Sequence, residues 1–166
     1  YNDFHRRLSQ GEMIEEDSIH LPDSLKFETP GGRIVYGGGG IMPDHFVPYD
    51  TTGVTPALMK LTRSGVVYRF ALRYSDNNRE KLSAFSSAQQ IDDYLENGPL
   101  LTEFLLYSSN NGVRVKKEDL GESEEILLTQ LKAYIARNLL DNDGFYPIIQ
   151  KIDSTLKDAL KIIESQ

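Results

Sequence analysis

The stretch from residue 122 onward constrains the fold more than any other. Leu127, Leu128, Leu131, Tyr134, Ile135 and Leu139 recur at helical spacing, and so do Ile148, Ile149, Ile152, Leu156, Ala159, Leu160 and Ile163. Apolar residues every three or four places give each helix one apolar stripe. Asp141-Asn142-Asp143-Gly144 separates the two stripes. The pattern predicts two long amphipathic helices joined by a short polar connection, an antiparallel hairpin in which Asp143 caps the second helix. Burying one aliphatic side chain is worth about 1.5–3 kcal/mol, so stripes this wide must meet other helices or a second copy of the chain. The same hairpin is therefore the expected seat of any homo-oligomer.

Upstream, the helix signals are local. Thr55-Pro56 reads as an N-cap followed by proline at the first helical position, with Val54 and Met59 placed as a hydrophobic staple. Gly65 interrupts that helix, and Val66, Val67, Phe70, Ala71 and Tyr74 resume at helical spacing up to Asn77-Asn78. Ser86-Ser87-Ala88-Gln89-Gln90 holds two overlapping capping boxes ahead of Ile91, Tyr94 and Leu95. Asn97-Gly98-Pro99 breaks the chain, Leu100, Leu101, Phe104 and Leu105 restart it, and Asn110-Asn111-Gly112 ends it.

Residues 1–54 are different. They hold eight of the 13 glycines and four of the seven prolines, with four basic against nine acidic side chains. Leu25 to Thr29 and Arg33 to Tyr36 read as two short strands around Pro30-Gly31-Gly32. Asn2 to Gln10 reads as a short helix, Glu12 to Asp23 as an irregular acidic stretch, and His45 to Pro48 as a third extended piece at a sheet edge. The expected fold is mainly α, a C-terminal helical bundle over 55–166 preceded by a loop- and strand-rich segment over 1–54 that makes the N-terminal end α+β.

Several chemistries are excluded or discounted. A net charge of −7 argues against a nucleic-acid partner, which needs clustered cations. With no cysteine there is no disulfide, thiolate metal site or thiol nucleophile. His5, His20 and His45 lack ligand spacing. An EF-hand read around Gly144 would place Leu139 and Gln150 at its first and last ligand positions, where carboxylates are required. Gly37–Gly40 lacks the Gly-Lys-Ser/Thr of a phosphate loop. Ser154 and Lys157 match Ser-x-x-Lys, but the companion Ser-Asp-Asn and Lys-Thr-Gly elements of that enzyme class are missing and the pair falls on a helix. No catalytic, metal or cofactor-binding residue is assigned.

The most informative segment runs from Thr29 to Pro48. Gly40-Ile41-Met42-Pro43-Asp44-His45-Phe46-Val47 resembles the Gly-Ile-x-Pro-Asp-x-x-Val stretch of carboxyl-terminal processing peptidases, the S41 family of serine endopeptidases. Thr29 to Arg33 resembles their Thr-Pro-x-Gly-Arg element, and a looser similarity extends back to Leu8 through the Ser-Gln-Gly-Glu and Asp-Ser-Ile-His stretches. The resemblance implies an exported, periplasmic or cell-envelope protease with a PDZ domain and a Ser–Lys dyad, acting on protein or peptide substrates. In that family the PDZ and dyad precede this stretch. The residues before Gly40 contain one lysine, Lys26, in a strand pattern, and no nucleophile motif. The chain thus looks like the tail of such a protease without its catalytic residues, and its start at Tyr1 rather than Met reads as trimming. The helices would brace the core, cover its substrate tunnel or associate subunits. The competing reading is a free-standing helical adaptor that binds a partner peptide in a groove.

Overall fold

Seven helices and one hairpin make up the described part of the protein. The computed structural model describes residues 11, 12, 14, 23–32, 34–37 and 45–165. The expected helix over Asn2 to Gln10 and most of the acidic stretch after it lie outside them. Within the described residues the order is β1 (Lys26–Glu28), β2 (Ile34–Tyr36), α1 (Pro56–Arg63), α2 (Val66–Asn77), α3 (Arg79–Leu82), α4 (Ala88–Glu96), α5 (Leu100–Asn110), α6 (Ser123–Ile149) and α7 (Ser154–Glu164). The fold is mainly α with a small antiparallel hairpin near the N-terminus. It divides into two compact units, Thr51–Lys157 and a unit of residues up to Asp50 together with those from Asp158 onward.

The Thr51–Lys157 unit is a helical bundle, and its helix starts follow from short-range chemistry. The Thr55 hydroxyl accepts from the Leu58 amide at 3.3 Å, and Pro56, which has no amide to leave unsatisfied, opens α1. Gly65 takes φ +70°, a left-handed turn that stops α1 and admits α2. Ser87 caps α4 through the Gln90 amide at 3.3 Å, while the Gln90 side chain accepts from the Ser86 amide at 2.9 Å. Val54 and Met59, placed as a staple, both stay exposed.

α6 is the hub. It packs against both α2 and α4, and Leu127, Leu131, Ala133, Ile135 and Ala136 are fully buried. They meet Leu61, Val66, Phe70, Ile91, Leu95 and Phe104 from the helices before it. Phe70 stands edge-on to Phe104 at 5.4 Å between ring centres, a preferred aromatic geometry. Burial among these groups pushes the Tyr74 phenol up to about 12, with Glu103 nearby adding to the shift.

The expected helical hairpin needs correcting in three places. The reversal is tighter than a four-residue connection: α6 continues to Ile149 apart from Leu140 (φ −126°, ψ 15°) and Asp141 (φ 51°, ψ −133°). Two residues can turn the chain because Gly144 lets the second arm press onto the first. A Cβ there would overlap the Ala136 carbonyl oxygen and lie 2.7 Å from its carbon. The second long helix is itself interrupted. Gln150–Ile152 tightens to a 3₁₀ turn, Asp153 leaves helical geometry (φ −88°, ψ 99°), and α7 starts afresh. The cap is therefore Asp153, whose carboxylate accepts from the Leu156 amide at 2.9 Å; Asp143 lies inside the helix it was expected to start. Of the second stripe, Ile148 is buried, whereas Ala159, Leu160 and Ile163 are exposed.

The hairpin is shorter than the sequence pattern. Lys26 faces Tyr36, Phe27 faces Val35 and Glu28 faces Ile34, with the Gly32 amide closing the turn onto the Thr29 carbonyl at 2.9 Å. His45–Pro48 does not form the expected strand; it pairs with neither β1 nor β2. An alternating pattern favours extended backbone, but a ladder also requires a neighbouring strand edge.

Candidate functional site

In the hairpin, the part of the motif segment that is described, apolar side chains face solvent. Phe27 is 58% exposed, Ile34 50% and Val35 38%. Each strand has a single partner, so among the described residues the outer edges of the sheet are unpaired. Gly37 closes the base: its amide donates to the Leu25 carbonyl at 2.8 Å, and a Cβ there would come within 3.0 Å of the Phe27 ring. A two-stranded sheet is marginal in water by itself and gains stability when a further strand or layer covers it. The residues 38–44 that carry Gly-Ile-x-Pro-Asp lie outside the described residues.

The bundle holds a charge cluster that is buried at Asp92 and Lys132 and reaches solvent at Glu96 and Lys151. The Lys132 ammonium on α6 lies 3.2 Å from the Asp92 carboxylate on α4 and also pairs with Glu96. Lys151, in the 3₁₀ turn after α6, pairs with the other oxygen of Asp92. Asp92 and Lys132 are both buried. Burial alone would raise the Asp92 pKa, but the Lys151 and Lys132 ammonium groups outweigh it and hold the carboxyl below its ordinary range. Two ammonium groups face two carboxylates, so the cluster is neutral and cross-links α4, α6 and the turn beyond it. A cleft of about 210 Å³ opens beside it, lined by Leu95, Pro99, Leu100, Leu128, Lys117 and Lys132. Lys117 is paired with Glu124 at 3.3 Å, which leaves the cleft balanced in charge. One signal was available in the sequence: Asp92 shares a helical stripe with Ala88, Ile91 and Leu95, all buried.

A third feature is a row of aromatic rings on the bundle. Tyr68 stands edge-on to Tyr134 at 5.6 Å, Tyr134 tilts against Phe145 at 5.6 Å, and Phe145 meets Tyr146 at 5.4 Å. The Arg137 guanidinium covers Phe145 at 5.1 Å, and Tyr68 and Tyr146 at the ends are half exposed.

Ser154 and Lys157 sit one turn apart at the start of α7, and no hydrogen bond joins them. Among the described residues no buried carboxylate, histidine or pair of free amides converges on the serine. Of the histidines only His45 is described, and it is exposed. Among the described residues no three His, Asp or Glu side chains are grouped to hold a metal ion, and no helix is long and apolar enough to cross a membrane.

Residues 57–141 match the model of a family of unknown function, DUF8443. The chain belongs to this family. The DUF8443 match begins in α1 and ends at Asp141, the residue at which α6 breaks. It thus takes in the helices that pack around α6 and leaves out the hairpin and the motif segment. No curated protein and no solved structure matches the chain.

Proposed function

We propose that this chain is the non-catalytic C-terminal part of an exported carboxyl-terminal processing serine protease, one that cleaves proteins or peptides near their C-termini. The single observation that carries the reading is the Thr29–Pro48 segment, with its Gly40-Ile41-Met42-Pro43-Asp44 core. The hairpin supports it: β1 and β2 form a minimal sheet with exposed apolar side chains and, among the described residues, unpaired edges, as expected of strands that continue a larger sheet. The helical module then braces that core or brings subunits together. The Ser–Lys dyad and the PDZ domain belong to the part that precedes this segment, and the site is periplasmic or in the cell envelope.

The experiment is to read the coding sequence upstream of Tyr1 and assay both the whole product and this chain on an unfolded protein with an apolar C-terminus. The whole product should cleave it, substitution of the upstream serine should abolish cleavage, and this chain alone should be inert. An upstream frame without a PDZ and Ser–Lys core overturns the reading. So does turnover by this chain that disappears in Ser154→Ala.

A second reading, a helical adaptor that binds a partner peptide, is favoured by the aromatic row whose end rings, Tyr68 and Tyr146, are half exposed. Aromatic rings of this kind supply large contact area at low entropic cost.

A further inference from the structure

We infer that α6 is a hinge for exchange between two copies of this chain, opening at Leu140–Asp141 to form a domain-swapped dimer. Three observations carry this. First, backbone on both sides of the break is helical, so straightening two residues yields one uninterrupted helix. Second, the closed turn is strained. Asp141 is the only described non-glycine residue with positive φ, and at φ 51°, ψ −133° it occupies a region that side chains disfavour. Third, the contacts that tie the second arm to the described part of the bundle are ones a second copy reproduces. Ile148 enters the core, Phe145 lies against Tyr134, and Lys151 pairs with Asp92.

In the exchanged form, the arm beginning at Asn142 leaves its own bundle and seats on the partner's, with Lys151 of each copy against Asp92 of the other. The packing is kept and the strain at Asp141 is released twice, once per hinge. Short connections under strain favour this route to a dimer. Pro147 does not decide between the forms, because it interrupts the same turn of the second arm in both.

Asp141 is a lever in both directions. A β-branched valine at 141 is disfavoured at φ 51°, ψ −133° and accepted in a straight helix. A glycine at 141 relieves the closed turn and weakens the straight helix. Gly144 does not choose between the forms, because it presses on Ala136 in the closed form and on the same residue of the second copy after exchange. A shift of about tenfold at each of two hinges makes about a hundredfold in the dimer dissociation constant. Asp141→Val should therefore dimerise at least about a hundredfold more tightly than Asp141→Gly by light scattering after size exclusion.

Cross-linking separates exchange from any other association. The chain has no cysteine, so Asp92→Cys with Lys151→Cys gives two unique thiols for a short bismaleimide. After refolding at high protein concentration, the product should be a covalent dimer in the Asp141→Val background and a monomer in the Asp141→Gly background. Should Asp141→Val not fold, the same cross-link in the otherwise unaltered chain must give covalent dimer in growing yield as refolding concentration rises. A folded Asp141→Val variant that stays monomeric overturns the inference. So does a dimer whose cross-links stay within one chain, or an unaltered chain that never cross-links to a partner.

Discussion

The bundle and the hairpin use similar side chains to opposite ends. In the bundle, Phe104, Leu131 and Ile135 are fully enclosed, and even a lysine and an aspartate are taken inside because each neutralises the other. In the hairpin, Phe27, Ile34 and Val35 stand in water on a sheet of two strands. The bundle's helices enclose one another's apolar stripes around α6. Three residue pairs in a ladder do not, because so short a sheet offers too little area to offset the entropy of fixing it. The bundle thus carries an apolar core of its own, whereas the hairpin's apolar residues remain exposed.

Truncation probes that contrast most strongly. Phe104→Ala should cost about 3–5 kcal/mol in denaturant unfolding, because it opens a cavity under Phe70. Phe27→Ala should leave the same transition within about 0.5 kcal/mol. A large effect of Phe27→Ala would erase the distinction between the two regions.

The charge cluster sharpens it. A carboxyl held below its ordinary range contributes stability above the unfolded pKa and loses that contribution as pH falls through the folded one. The bundle should therefore weaken below about pH 4, and Asp92→Asn should flatten that part of the profile. At neutral pH Asp92→Asn should cost about 3 kcal/mol, since it leaves Lys132 buried beside only Glu96. An acid profile identical in the variant would show that Asp92 contributes nothing to the contrast.

The smallest effect concerns where the bundle begins. Thr55→Ala should lower its stability by about 1 kcal/mol through loss of the Leu58 amide's partner. A thermal scan that leaves the midpoint unchanged would place the start of the unit beyond α1.

What the sequence made legible was local. Thr55, Gly65, Ser87 and Gly112 mark helix ends because capping and positive φ are decided within a few residues. Pro30-Gly31-Gly32 marks the hairpin for the same reason. The Asp92–Lys132–Lys151 cluster joins residues 36 to 59 places apart with Glu96, and no periodicity encodes such a meeting. The exchange of Asp143 for Asp153 as a cap has a related origin. Both aspartates precede helical sequence, and the choice depends on where the chain is bent, which Gly144 on Ala136 and Lys151 on Asp92 decide in three dimensions. No catalytic residue was assigned from the sequence, and the one Ser–Lys spacing it offered lies on a helix, with no activating group beside the serine among the described residues.

The central place of α6 also sets a schedule. Chains are made from the N-terminus at about 5–20 residues per second, and domains close when their last essential element appears. α1 to α5 carry most of the apolar surface that α6 covers, yet α6 is synthesised after all of them. For several seconds the nascent bundle is a set of half-finished helices with Leu61, Phe70, Ile91 and Leu95 uncovered, and a ribosome that stalls before Ser123 releases a sticky product. Holding factors that recognise exposed aliphatic segments therefore have their chance during synthesis, before the hub arrives.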